Sequence, residues 1–113
     1  MITMSAEQVV EEQLHSYNAR NLEQFVSFYS PEIKIFELST GAMVVSGFEQ
    51  LRQRYAARFQ SPNLHAHIAN RMTIGDYVID SEEITGILES GIYRAIVIYE
   101  VKESLVHRLW IVK

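Results

Sequence analysis

One glutamate is the first candidate for chemistry in this chain of 113 residues. Glu37 ends the alternating segment Ile33-Lys34-Ile35-Phe36-Glu37, in which it shares a face with Ile33 and Ile35. Alternate residues of a strand point to the same face, so this more apolar set predicts that Glu37 faces inward. An inward carboxylate is a candidate base or ligand acceptor. The alternative is an exposed acid at the end of an edge strand.

Two histidines form a second candidate site. His65 and His67 fall on one face of a predicted strand, where imidazole nitrogens can bind zinc. A third ligand would have to be a carboxylate, such as Glu82 or Glu83, or another histidine, and no diagnostic spacing connects them. We therefore predict ordinary strand histidines, with no metal site and no cofactor. The sequence also lacks the phosphate-loop, dinucleotide-binding and serine-hydrolase motifs.

Composition narrows the class of protein further. A net charge of −4 gives no basic surface, which argues against binding to nucleic acid or to an anionic membrane. Because the sequence has no cysteine, disulfides, thiolate metal sites and cysteine nucleophiles are excluded. The N-terminal residues do not resemble a signal peptide, and no apolar run approaches the length of about 20 residues that spans a bilayer. We expect one cytoplasmic domain covering residues 1–113.

Three helices are predicted in the N-terminal half. Ser5, followed three residues later by Gln8, has the pattern of a capping box at the start of the first helix. Asn21 can cap a second helix over about Leu22 to Tyr29. The third helix covers Phe48 to Phe59, with one apolar stripe. Its arginines occupy the other faces and are predicted to be solvated.

Beyond Pro62 the apolar residues alternate as in strands. Gly75-Asp76, Ser90-Gly91 and Lys102 to Ser104 are turn signals that separate these strands. The predicted strands start near Leu64 and then cover Tyr77 to Leu88, Ile92 to Val101 and Leu105 to Val112. Helices followed by antiparallel hairpins predict an α+β fold with the helices on one face of the sheet.

The last two predicted strands are apolar on both faces. Tyr93 to Tyr99 and Leu109 to Val112 each carry apolar residues at consecutive positions. An antiparallel sheet with one solvated face alternates more cleanly, so the second face must be covered. The simplest cover is a second copy of the chain, which predicts a homodimer through the outer sheet face. Partial cover by the chain's own loops is the alternative.

Several segments together resemble a known superfamily. Residues 16–59, SYNARNLEQFVSFYSPEIKIFELSTGAMVVSGFEQLRQRYAARF, give the order of two helices, an alternating strand, a glycine-bracketed strand and a helix. Ile74 to Asp80, Glu83 to Gly86, Ala95 to Val101 and Val106 to Trp110 match the later strands. The chain resembles the NTF2-like superfamily, which includes ketosteroid isomerases and SnoaL-type polyketide cyclases. This resemblance implies a cone-shaped α+β roll, in which three N-terminal helices pack on a curved antiparallel sheet that encloses an apolar pocket.

The resemblance also implies positions for the site. In ketosteroid isomerases an aspartate late in the first strand is the general base, and this position falls on Glu37. The helix-one tyrosine falls on Gln13, and the protonated aspartate of the penultimate strand falls at about Val97. Gln13 can donate one hydrogen bond, but Val97 cannot, so Tyr17, Tyr55 or Tyr99 would have to take over its part of this role. The implied pocket wall consists of Gln13, Tyr17, Tyr55, Phe59 and Tyr99.

Two functions follow from this resemblance. The first is a cofactor-independent isomerase or cyclase acting on a small hydrophobic carbonyl compound, with Glu37 as the base. The second is a non-catalytic domain that binds a small hydrophobic ligand or a protein partner.

Overall fold

The computed structural model describes residues 3–87 and 91–112. Its helices are α1 (Ala6–Asn18), α2 (Leu22–Val26) and α3 (Phe48–Arg58). Its strands are β1 (Tyr29–Glu37), β2 (Met43–Ser46), β3 (His65–Ile74), β4 (Tyr77–Thr85), β5 (Tyr93–Lys102) and β6 (Leu105–Val112). None of the helices in these ranges has the length and apolar character required to cross a membrane.

The strands form one six-stranded sheet in the order β2-β1-β6-β5-β4-β3. The expected α+β architecture is confirmed, with one correction to the sheet. β1 pairs with β6 in parallel, whereas the other neighbouring strands are antiparallel. A parallel pair cannot be closed by a tight turn, and here the whole chain between β1 and β6 makes the connection.

Local capping signals set the helix starts. The Ser5 side chain accepts a hydrogen bond from the Gln8 backbone N–H, and the Gln8 side chain accepts one from the Ser5 backbone, which confirms the capping box. Asn21 caps α2 as predicted. However, α2 ends at Val26, because Tyr29 already belongs to β1 and pairs with β6.

The turn signals set the strand boundaries. Gly75 has a φ of 54°, a left-handed conformation that glycine adopts without strain, and it starts the predicted β3–β4 turn. Glu103 and Ser104 form the β5–β6 turn. β4 ends at Thr85, before the predicted end, and the predicted Ser90-Gly91 turn lies partly outside the described residues.

The outer face of the sheet carries a continuous apolar row. The cross-strand register aligns one residue from each of the six strands. We call this set the outer row: Met43, Phe36, Trp110, Ile98, Ile79 and Met72. The rings of Phe36 and Trp110 stack with centroids 5.9 Å apart, and Met72 at the far end is 64% exposed. The expectation of apolar residues on both faces of β5 and β6 is therefore confirmed.

A buried ion pair attaches α1 to the inner face of the sheet. Asp80 on β4 is completely buried and receives two hydrogen bonds from Arg71 on β3, from Nε at 2.7 Å and from Nη2 at 3.0 Å. Nη1 of the same guanidinium donates to Glu11 Oε1 on α1 at 2.8 Å. One arginine thus connects two adjacent strands to the helix above them.

Removing Arg71 alone is expected to destabilise the fold strongly. Arg71→Met leaves Asp80 buried without its counter-charge, which costs about 3–5 kcal/mol of unfolding free energy. The double variant Arg71→Met/Asp80→Leu removes both charges and is expected to recover most of this loss. Urea unfolding, with the midpoint compared at constant m-value, measures both effects.

Arg94 provides the control for this experiment. Its side chain is exposed and lies 3.6 Å from Glu83 Oε2 on the outer face. Arg94→Met is expected to cost less than about 1 kcal/mol, as is typical of surface ion pairs. Equal losses for Arg71→Met and Arg94→Met would contradict the role of the buried pair.

Candidate functional site

A cavity of about 40 Å³ lies between the helices and the inner face of the sheet. Residues from all three helices and from β1, β3, β4, β5 and β6 line it. The lining residues are Gln13, Leu14, Tyr17, Phe25, Tyr29, Tyr55, Arg58, Ala66, Glu82, Ile84, Val97, Tyr99, Leu109 and Ile111.

The volume of the cavity limits what it can hold. One water molecule needs about 10–15 Å³ by this type of measure, and a cavity that binds benzene has about 150 Å³. The volume of about 40 Å³ therefore admits about three water-sized groups. In this conformation a steroid or an extended polyketide does not fit, whereas a molecule with few heavy atoms does.

Most of the predicted wall residues lie at this cavity. Gln13, Tyr17, Tyr55 and Tyr99 line it, and their role in binding stays a prediction. Phe59 is not a lining residue, which corrects its predicted place. Its ring packs edge-on against the Tyr17 ring, with centroids 5.4 Å apart, so Phe59 supports the wall from behind.

Glu37 lies on the inner face of the sheet, as strand alternation predicts, because its neighbour on β6 is Ile111, which lines the cavity. Glu37 itself is not a lining residue: it is the last residue of β1 and is half-buried. Glu37 Oε1 accepts a hydrogen bond from Ser39 Oγ at 3.3 Å in the turn that follows. Because β1 ends at Glu37, its carboxylate is within reach of the turn residue Ser39. A catalytic role for Glu37 stays a prediction.

The acid that does line the cavity is Glu82 on β4. It lies on the inner face together with Val78, Asp80 and Ile84, and it is 7% exposed. The sequence suggests Glu82 only as one of several metal-ligand candidates. The burial of Glu82 could have been inferred from the sequence of β4, because strand alternation puts the two acids on the same face as the two aliphatic residues.

A chain of hydrogen bonds runs across the inner face and ends on Glu82. The Tyr29 hydroxyl donates to Gln13 Oε1 at 2.8 Å, and Gln13 Nε2 donates to the Tyr99 hydroxyl at 3.3 Å. The Tyr99 hydroxyl in turn donates to Glu82 Oε2 at 3.0 Å. Each hydrogen bond is donated in the direction of the carboxylate, so the series fixes the orientation of Glu82. Among the described residues, none donates to Glu82 Oε1.

The surroundings of Glu82 bring its pKa close to neutral. Burial disfavours the charged form and raises the pKa of Glu82 to about 7. The hydrogen bond from Tyr99 lowers the pKa, the charge of Asp80 raises it, and the charges of Arg71 and Arg58 lower it. A carboxyl group with a pKa in this range can both accept and return a proton near neutral pH.

Tyr17 and Arg58 form a second polar group in the wall. Arg58 Nη1 donates to the Tyr17 hydroxyl at 3.2 Å, so the hydroxyl acts as an acceptor there and keeps its own hydrogen for another partner. Burial raises the pKa of Tyr17 to about 12, so the hydroxyl stays protonated at working pH. Arg58 is half-buried, which corrects the prediction of a solvated arginine face on α3 for this residue.

The histidines considered as metal ligands are exposed. His65 and His67 lie on the surface of β3, away from the cavity wall. Within residues 3–87 and 91–112, no group of three or more histidines, aspartates and glutamates is placed to hold a metal ion.

Comparison with known proteins identifies the family. A model of the SnoaL-like domain matches residues 10–108, and the chain belongs to this family. An uncharacterised cystatin-fold protein from Novosphingobium aromaticivorans superposes with a TM-score of 0.84 at 23% identity, covering 97% of this chain and 99% of the other. No curated protein matches the sequence significantly.

Two further solved structures share the fold. A putative ketosteroid isomerase from Kribbella flavida has a TM-score of 0.82 at 16% identity, with 97% of this chain and 78% of the other covered. A putative polyketide cyclase from Sinorhizobium meliloti has a TM-score of 0.79 at 13% identity, with coverage of 96% and 99%. These two structural similarities establish the NTF2-like fold of this chain.

The raised pKa of Glu82 predicts a specific dependence of stability on pH. The folded state binds this proton more tightly than the unfolded state, whose pKa is near 4.5. Stability is therefore highest below that value and falls as the pH rises to about 7, by roughly 3 kcal/mol in total. Glu82→Gln cannot ionise, so relative to wild type it should gain roughly this amount between pH 4.5 and pH 8.

Urea unfolding at several pH values tests this prediction. Glu83→Gln, the same substitution on the outer face of β4, serves as the control and should follow the wild-type profile. If Glu82→Gln gave a profile parallel to that of the wild type, the raised pKa of Glu82 would be refuted.

Proposed function

We propose that the chain is a cofactor-independent proton-transfer enzyme, of the isomerase or cyclase type, that acts on a small carbonyl compound with Glu82 as the general base. The observation that carries this proposal is a buried carboxyl group with a pKa of about 7 in the wall of a cavity, oriented by Tyr99. The similarity to the putative ketosteroid isomerase and the putative polyketide cyclase supports the class of reaction.

The proposed step needs only residues of the cavity wall. The ionised Glu82 takes a proton from the carbon next to the substrate carbonyl, and the electron pair of the C–H bond forms an enolate. The Tyr17 hydroxyl donates a hydrogen bond to the carbonyl oxygen and stabilises its developing negative charge. In an isomerisation, protonated Glu82 then returns the proton to a different carbon of the enolate. In a cyclisation, the enolate carbon attacks a second carbonyl of the substrate, and Glu82 returns the proton to the alkoxide oxygen that forms.

The position of the oxyanion donor differs from the one implied by the resemblance. Val97 lines the cavity and has no donor, but Tyr17 on α1 has a free hydroxyl hydrogen. The hydroxyls of Tyr29 and Tyr99 donate to protein acceptors. Tyr17 and Tyr55 are the remaining tyrosines of the wall. We assign Tyr17 as the donor to the substrate carbonyl, because the Arg58 guanidinium already donates to its hydroxyl and leaves the hydroxyl hydrogen for a ligand.

Non-catalytic binding is the second candidate function. The lack of a hydrogen-bond donor at Val97 favours this function, and a site of about 40 Å³ also suits retention of a small ligand. In this case the hydrogen bonds to Glu82 serve to order the wall, and ligand binding occurs without exchange of carbon-bound protons.

Hydrogen–deuterium exchange distinguishes the two functions. Short ketones and oxo acids are incubated with the protein in D₂O, and loss of the proton signals next to the carbonyl is followed by NMR. We expect wild-type protein to accelerate exchange of at least one compound above the buffer rate. Glu82→Gln should reduce this rate by about 10²–10⁴-fold, the range typical of a lost general base.

Glu37→Gln is the matched control for this experiment. It makes the same chemical change at the acid that lies outside the cavity wall, and it should retain wild-type exchange. Loss of exchange in Glu37→Gln alone would transfer the base to Glu37. Binding of a compound without exchange by wild-type protein would favour the non-catalytic function.

We also propose that the partner of the outer row is a second copy of the chain. Support comes from its continuity across six strands and from the large exposed fractions of Met43 and Met72, 51% and 64%. Apolar area of this kind favours association through the hydrophobic effect.

Native mass spectrometry tests the proposed homodimer. Wild-type protein should have twice the mass of the 13.1 kDa chain. Ile98→Lys places a charge in the middle of the outer row and should yield monomer, whereas Gln53→Lys on the exposed face of α3 should remain dimeric. Monomeric wild-type protein at micromolar concentration would rule out the dimer.

A further inference from the structure

Two half-buried arginines of α3, Arg54 and Arg58, lack an ion-pair partner among the described residues, and of these two Arg58 lines the cavity. Four arginines of the described chain lie within ion-pair distance of a carboxylate. These pairs are Arg52 with Glu23, Arg71 with Asp80, Arg94 with Glu83 and Arg108 with Glu100. Within residues 3–87 and 91–112, no carboxylate lies at this distance from Arg58.

The position of Arg58 makes this absence informative. Its side chain lines the cavity, and its hydrogen bond in this structure is the one from Nη1 to the Tyr17 hydroxyl at 3.2 Å. A guanidinium group carries five N–H donors and stays charged, so most of its donors remain available. A partly buried charge without a partner is costly, which makes the site favourable for an anion.

The shape of the guanidinium selects the kind of anion. Its planar fork matches a carboxylate, which it can bind through two parallel N–H···O hydrogen bonds. Tyr17 lies beside Arg58 with its hydroxyl hydrogen free, so a carbonyl next to that carboxylate meets a donor. The cavity volume of about 40 Å³ then restricts the rest of the molecule to a few atoms.

We propose that Arg58 binds a carboxylate of the substrate, so that the substrate is a short oxo acid with its carbonyl at Tyr17 and its acidic carbon at Glu82. This inference deepens the proposed function and rests on it for the chemical step, while the binding of the carboxylate can be tested separately. Arg58 also offsets the repulsion between the substrate carboxylate and ionised Glu82, because its positive charge acts on both.

The first experiment measures binding. Pyruvate and its neutral isostere pyruvamide are titrated into the protein, and backbone amide shifts are followed by NMR. We expect wild-type protein to bind pyruvate at least tenfold more tightly than pyruvamide. Arg58→Gln should remove this preference, and Arg58→Lys, which keeps the charge but not the fork, should retain part of it.

Arg52→Gln is the matched control on the same helix. Arg52 pairs with Glu23 on the surface and does not line the cavity, so its substitution should leave the preference for pyruvate unchanged. Urea unfolding of each variant verifies that the fold is retained. Equal binding of the two probes by wild-type protein, or no binding of either, would overturn the inference.

The second experiment separates the inference from the proposed function. Glu82→Gln should still prefer pyruvate over pyruvamide but should lose exchange of the pyruvate methyl protons in D₂O. A preference that depends on Arg58, combined with equal exchange in wild type and Glu82→Gln, would support the carboxylate site and refute Glu82 as the base. Exchange that depends on Glu82 but is equal for both probes and unaffected in Arg58→Gln would support Glu82 as the base and refute the carboxylate site at Arg58.

Discussion

The ion pair between Arg71 and Asp80 is the interaction on which the arrangement of the cavity depends. A completely buried carboxylate is tolerated only if its charge is compensated, and here one guanidinium provides two hydrogen bonds. The same guanidinium binds Glu11 and so fixes α1 over β3 and β4. Because α1 also carries Gln13 and Tyr17, the ion pair indirectly places two residues of the cavity wall.

Two acids on the same strand face have different environments and therefore different chemistry. Asp80 is compensated by a dedicated arginine, whereas Glu82, two residues further along β4, receives one hydroxyl hydrogen bond and faces a cavity. Burial without a full counter-charge brings the pKa of Glu82 to about 7. A buried carboxylate paired with an arginine and a buried carboxyl group at the cavity thus lie two residues apart on one face of β4.

Features that depend on neighbouring residues could be predicted from the sequence, whereas features that depend on distant residues could not. The Ser5 capping box and the Gly75 turn involve contacts over a few residues, and both are as expected. Alternation places Glu37 on the inner face, but its position outside the cavity wall depends on where β1 ends and on the turn beyond it, which alternation alone does not reveal.

The same contrast applies to the site. The surroundings of Glu82 come from β3, β5, α1 and α3, so its burial and its hydrogen bond from Tyr99 follow from the tertiary fold. The alternation on β4 shows that two acids share an apolar face. It does not show that one acid would find an arginine and the other a cavity.

The parallel pairing of β1 with β6 has a consequence for how the protein folds. Contacts such as Tyr29 with Val106 and Ile35 with Leu109 join residues more than seventy positions apart, and such long loops close slowly. β6 lies between β1 and β5, so without it the sheet consists of two unconnected parts. During synthesis the ribosome delivers β6 after all other described strands, and until then α1 and β1 have no complete sheet on which to pack. The native sheet therefore cannot form until β6 has left the ribosome.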